Sequence, residues 1–147
     1  MNIPFSPPDI TEEEIEAVAE VMRSGWITTG PKTKELERKM AEFTHTNRGV
    51  CLNSATSCME MALRLFEIGP GDEVIVPAYT YTASASVVCH VGATLRLVDV
   101  EKGTFHIDYA AVESMINENT KAIIPVDLGG VMAVSYTHLR AHETAAN

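Results

Sequence analysis

Apolar residues recur at helical spacing in the first third of the chain and in short unbroken runs after it. Ile15, Val18, Ala19 and Met22 fall on one face behind a Thr11–Glu14 capping box, which predicts a helix over 11–23. The stretch "SGWITTGP" ends it, because glycine, proline and β-branched residues disfavour a further turn. Pro31 then opens a second helix. Leu36, Met40 and Phe43 share one face of it, and Lys32, Lys34, Glu35, Arg38 and Lys39 are expected in solvent.

From residue 49 the period changes. "GVCLN" (49–53) reads as a short strand, 55–67 as a helix, "GPGD" as a turn and "EVIVP" (73–77) as a strand. A helix of small residues over 82–91, a strand over 94–100, a helix over 108–117 and a strand over 121–127 continue the alternation. Strands this apolar, separated by helices, predict an α/β fold with a mostly parallel sheet covered by helices on both faces. Ligands of such sheets gather beyond the carboxyl ends of the strands. Asn53–Ser57, Ala78–Thr82, Asp99 and Asp127 are expected at that edge.

Composition narrows the chemistry. The 147 residues carry 11 basic and 20 acidic side chains, and the net charge of -9 speaks against a general electrostatic grip on nucleic acid or on an anionic membrane. An anionic ligand therefore needs a local site. No apolar run approaches the ~18 residues of a membrane span, and the N-terminus lacks a secretory pattern. Cys51, Cys58 and Cys89 form no C-x-x-C pair, so they are expected as reduced, buried thiols in a cytosolic protein.

One segment raises a sharper question. "LNSATSCMEMA" puts Ser54, Ala55, Thr56 and Ser57 at the start of a helix, where unpaired N–H groups and the dipole favour a phosphate. Taken alone, the segment is explained as readily by a Ser or Thr N-cap. A G-x-x-x-x-G-K-[ST] loop is absent, and "GPGDEV" leads into a strand, which removes support for ATP hydrolysis and dinucleotide binding. Tyr79 and Tyr81 follow the 73–77 strand; either could stack on a flat heterocycle or simply pack in the core.

Six segments in order, "IPFSPPDITEEEIEAV", "SGWITTGPKTKELE", "NSATSCMEMAL", "GDEVIVPAYTYTAS", "GATLRLVDV" and "TKAIIPVDLGG", resemble the DegT/DnrJ/StrS sugar aminotransferases. The resemblance covers residues 3–133. It implies the N-terminal part of the large domain of a pyridoxal 5'-phosphate-dependent transferase with the aspartate aminotransferase fold. It also implies that Ala55, Thr56 and Ser57 hold the cofactor's phosphate, that Tyr81 stacks on its ring, and that Trp26 and Thr28 lie near the substrate. No role for Asp127 follows, and a turn residue explains it equally well.

The same resemblance places the Schiff-base lysine and the carboxylate that pairs with the pyridinium nitrogen further along the family's sequence. None of Lys32, Lys34, Lys39, Lys102 and Lys121 matches the lysine motif. No catalytic residue is therefore expected in this chain, which should bind cofactor poorly and not turn over. For the parent protein the resemblance implies a cytoplasmic homodimer that moves an amino group, commonly from glutamate, to a nucleotide-linked keto sugar for polysaccharide or glycoconjugate synthesis. A sugar dehydratase of the same fold, commonly with histidine at the lysine position, and a non-catalytic sensory or binding relative are the alternatives.

Val134–Thr144 breaks the alternation and resembles a translated transposon-type sequencing adapter. Residues 1–133 are thus expected as the native, truncated portion of the large domain and 134–147 as a non-native tail. His138 and His142, four apart beside Glu143, could offer two imidazoles to zinc on a helix. With no third ligand apparent and the tail set aside, no metal site is expected.

Overall fold

The computed structural model describes residues 6–133; residues 134–147, with His138, His142 and Glu143 and the tail expected there, lie outside the described residues. The chain divides into two compact units, one reaching to Cys51 and the other beginning at Leu52.

In the first unit, α1 spans Glu12–Arg23 behind the predicted capping box. The Thr11 amide donates to Glu14 Oε2 at 2.7 Å, and the Glu13 amide donates to Thr11 Oγ1 at 3.2 Å. Helix α2, Pro31–Phe43, starts at Pro31 as expected. Lys32, Lys34, Glu35, Arg38 and Lys39 are solvent-exposed as expected, and the pairs Lys39–Glu35 at 2.8 Å and Arg38–Glu42 at 2.6 Å add modest i,i+4 support. The apolar faces inferred from spacing are present, yet Ile15, Val18, Met22, Leu36, Met40 and Phe43 are exposed.

The expected strand over 49–53 does not form. A strand exists only through a ladder with a neighbour, and here the local partner is a helix. The Cys51 amide donates to Glu37 Oε1 at 2.9 Å, and Gly49 approaches α2 so closely that an added Cβ would lie 2.6 Å from the Glu37 carbonyl oxygen. Val50 is left exposed.

The second unit is the α/β body. Its elements are α3 (Ala55–Leu65), β1 (Glu73–Pro77), α4 (Ala83–His90), β2 (Thr94–Val98), α5 (Tyr109–Met115) and β3 (Thr120–Ile123). The sheet is parallel with order β2-β1-β3, pairing Ile75 with Arg96 on one side and with Ile123 on the other. Each predicted strand here is present, though those over 94–100 and 121–127 end early.

Strand β1 alternates its side chains between two cores. Val74 and Val76 pack with Leu63, Ile68, Val87 and Val88 from the α3 and α4 face. Ile75 packs with Val98, Ile107 and Val112 on the α5 face. All three β1 residues are fully buried, as a central strand covered on both sides requires.

Helices α3 and α4 end alike. The Ile68 amide returns to the Leu63 carbonyl at 3.0 Å and the Ala93 amide to the Val88 carbonyl at 3.2 Å, each across a residue with positive φ. In α4 that residue is Gly92, but in α3 it is Glu67 at φ 57°, where a Cβ is unfavourable. The amino edge of the sheet is tied by side chains: Glu73 accepts from Arg96 Nη1 at 3.3 Å and from Asn117 Nδ2 at 2.8 Å. Glu60 of α3 pairs with Arg64 of the same helix at 2.8 Å and, across to α4, with His90 at 3.0 Å. Arg64 first, then His90, hold the Glu60 carboxyl below its ordinary range.

The thiols depart from expectation. Cys58 and Cys89 are exposed and Cys51 is half-buried; all three are free. The two helices turn Leu63, Val87 and Val88 to the core instead.

Two outcomes follow for stability. Glu67→Gly should raise the unfolding free energy by about 1 kcal/mol by relieving the left-handed residue, read as a higher urea midpoint at unchanged slope. Because the folded Glu60 carboxyl titrates below its unfolded value, its contribution is complete above that value, about 4.3, and is lost as pH falls through the lower folded one. Glu60→Gln should therefore flatten the acid limb of a urea-midpoint profile while changing its slope little near neutrality.

Candidate functional site

The start of α3 is built by three small polar residues. Ser54 sits in extended backbone as the N-cap, and its Oγ accepts from the Ser57 amide at 3.1 Å. Ser54 Oγ also donates to Ser57 Oγ at 3.0 Å, and Ser57 Oγ donates to Asn53 Oδ1 at 2.7 Å. The cap thus consumes one amide of the first turn. The N–H groups of Ala55 and Thr56 have no acceptor among the described residues, and Ala55 is exposed. A phosphate fits this geometry: two free donors, the positive end of the helix and, at exposed Ala55, a side chain no larger than a methyl. Ser54 is the N-cap that one reading of the segment expected, and Ala55 and Thr56 keep the open donors. Ser57 would reach an anion only by rotating its hydroxyl away from Asn53.

The Glu60–His90 contact sets α3 and α4 side by side. A short connection returns the chain from α3 into β1, and another leads from β1 into α4, so both helices run opposite to the strand. Counting back one residue for one from that contact brings the Ala83 end of α4 level with Asn53. The loop 78–82 therefore emerges at the same carboxyl edge as the open amides.

That loop is anchored where it leaves the sheet, the Ala78 amide donating to the Val98 carbonyl at 2.8 Å. It is anchored again at α4, by the Ser84 amide on the Tyr81 carbonyl at 3.1 Å and by the Thr80–Ser84 hydroxyl contact at 3.2 Å. Neither tyrosine packs in the core: Tyr79 is 55% and Tyr81 80% exposed. Tyr79 stacks on Phe105, with ring centroids 4.8 Å apart and planes at 23°. The Tyr81 ring has no aromatic partner among the described residues and is the free platform of the two.

A sequence model of the DegT/DnrJ/EryC1/StrS aminotransferase family matches residues 8–145. The chain belongs to this family. Spr1654 of Streptococcus pneumoniae, described as a sugar aminotransferase and solved in apo, PMP and PLP forms, is 62% identical over 90% of this chain, with a TM-score of 0.85. DesV of S. venezuelae, solved with a ketimine intermediate, is 36% identical over 92% of the chain (TM-score 0.79). An aminotransferase of Psychrobacter cryohalolentis is 34% identical over 88% (TM-score 0.80). The chain spans only about a third of each relative, 33% of Spr1654 in its apo form, 35% of DesV and 33% of the Psychrobacter enzyme.

Among the residues that the family resemblance singles out, Ala55, Thr56, Ser57 and Tyr81 belong to the α/β unit, whereas Trp26 and Thr28 belong to the first unit. There they line a cleft of about 450 Å³ with Ser24, Ile27, Gly30 and Lys32. Trp26 is held in place, its Nε1 donating to the Thr29 carbonyl at 3.0 Å and its amide to Ser24 Oγ at 3.2 Å. The indole lies flush on Gly30, where an added Cβ would fall 2.2 Å from Cδ1. Asp127 is a turn residue, its carboxylate accepting from the Ala133 amide at 2.7 Å. Lys121, at the amino end of β3, donates to the Glu118 carbonyl at 3.1 Å. No group of three His, Cys, Asp or Glu suited to a metal occurs among the described residues.

Sequence reading passed over Phe105 and Gly30. The only signal for Gly30 was its place two residues after Thr28 in the family's S-G-W-x-T-x-G-P motif. The chain has a single tryptophan, so its fluorescence reports this seat directly. Gly30→Ala should displace the indole, shifting emission and its accessibility to acrylamide, while far-ultraviolet dichroism stays unchanged; an unaltered spectrum would contradict the tight seat.

Proposed function

We propose that the protein of which this chain forms part is a pyridoxal 5'-phosphate-dependent aminotransferase acting on a nucleotide-linked keto sugar, with glutamate as amino donor. It works as a cytoplasmic homodimer and serves polysaccharide or glycoconjugate synthesis. The reading is carried by one observation: two unpartnered amides at the start of α3 open at the same sheet edge as the unstacked ring of Tyr81. Family membership and the solved cofactor forms of Spr1654 support it.

When bound, the cofactor supplies an electron sink and a carrier for the amino group. The residues here have simpler tasks. The Ala55 and Thr56 amides and the Thr56 hydroxyl hold the phosphate at the positive end of α3. Tyr81 covers one face of the ring, fixing its plane and keeping water from it. Trp26 and Thr28 are the candidates for sugar contact. Nothing in this chain holds the cofactor's aldehyde or moves a proton at the reacting carbon, since none of its five lysines fits the family's motif. The chain alone should bind the cofactor weakly and not turn over.

The test is a titration of the chain with pyridoxamine 5'-phosphate, which forms no stray Schiff bases with surface lysines, beside one with inorganic phosphate. Ala55→Glu leaves the helix start well disposed to a negative charge, yet it should weaken both ligands at least about tenfold through bulk and repulsion. Tyr81→Ala should weaken pyridoxamine 5'-phosphate by about 1 kcal/mol and leave inorganic phosphate unchanged. Equal affinities in all three proteins would overturn the cradle. In the full-length parent, glutamate should convert bound cofactor to its pyridoxamine form; a bound cofactor that glutamate leaves unaltered would sink the aminotransferase reading.

A further inference from the structure

The segment between β2 and α5 is a compact hairpin that presents an aromatic ring to the loop that carries Tyr81. Its base is closed by the antiparallel bridge of Val100 with Ile107 and by the Asp108 amide on the Asp99 carbonyl at 3.2 Å. Ile107 is 2% exposed and locks the base into the α5-side core. Nearer the tip, the Glu101 amide donates to the His106 carbonyl at 2.8 Å. Thr104 Oγ1 donates to the Glu101 carbonyl at 3.1 Å and accepts from the His106 amide at 3.1 Å. The backbone on both sides of Phe105 is thus fixed, while the Phe105 side chain itself is 59% exposed.

An exposed phenylalanine on a rigid tip is costly in solvent unless it has a partner, and the partner here is Tyr79. Tyr79 is two residues from Tyr81 in a loop bonded from Ala78 to Val98 on one side and from Thr80 and Tyr81 to Ser84 on the other. Tyr79 itself has no anchor among the hydrogen bonds of the described residues, so its stack on Phe105 is what holds that part of the loop. We infer that Phe105 is a positioning residue: its stack on Tyr79 braces the loop 78–82 and so fixes the plane of the Tyr81 ring against which the cofactor lies. The ring-binding part of this inference rests on the proposed function; the bracing does not.

Amide hydrogen exchange and ligand titration on the same chain separate the two. The informative amides are Ser84 and Ala85, which donate to the carbonyls of Tyr81 and Thr82. Phe105→Leu should lower their protection about two- to tenfold, the range of an aromatic pair, with no change at Val74 and Val76. Phe105→Tyr, which keeps the stack, should restore it. The leucine variant should also weaken pyridoxamine 5'-phosphate by a similar factor and leave inorganic phosphate unaffected, a split that general loosening of the fold would not give. Unchanged protection at Ser84 and Ala85 overturns the bracing. Lost protection with an unchanged ligand split overturns the role at the ring. Failure of the wild-type chain to bind either ligand overturns the cofactor cradle and the ring role with it, and leaves the exchange result to decide the bracing alone.

Discussion

The structure depends on burying Val74, Ile75 and Val76 completely in a strand paired on both edges with parallel neighbours. Parallel pairing forbids a tight hairpin, so every return to the sheet must cross over its face. The crossovers supply α4 and α5, and these helices cover the two sides to which β1 points its alternate residues. Helix starts and loops then collect at the carboxyl edge as a matter of geometry. The amino edge, by contrast, is closed by Glu73 with Arg96 and Asn117. One end of the sheet is fastened by side chains and the other is left to loops and helix starts.

Much of this was legible in the chain. The bounds of β1 are those read from "EVIVP" between a turn and a small-residue segment, because local turn chemistry delimits a short apolar run. The caps at Thr11 and Ser54 are likewise local, each side chain bonding an amide two or three residues on. What failed were inferences that need a distant partner. "GVCLN" looks like a strand by composition, but no ladder forms beside it and Glu37 takes the Cys51 amide instead. The amphipathic faces of α1 and α2 are written in the sequence; what would cover them is not.

The candidate site divides along the same line. A helix start with small residues can be read from Ser54–Ser57 alone, although the strand thought to precede it is irregular backbone. Which tyrosine is free cannot be read so, because Tyr79 and Tyr81 are equivalent in pattern. Phe105 settles it by occupying Tyr79 from the far end of the next strand. Gly30 was similarly opaque, since the close approach of the Trp26 indole depends on a hydrogen bond to Thr29 that no periodicity announces.

The sheet order also carries a history. The pair β1–β2 closes within residues 73–98, with α4 between them, whereas β1–β3 cannot close before 120–123 has been made. Loop-closure entropy and the direction of synthesis favour the same sequence of events, the α4-side core first and the α5-side core second. Until the second forms, Ile75 and one whole edge of β1 stand open to water and to other chains. The residues that end as the most deeply buried are therefore, for a time during birth on the ribosome, the most in need of protection.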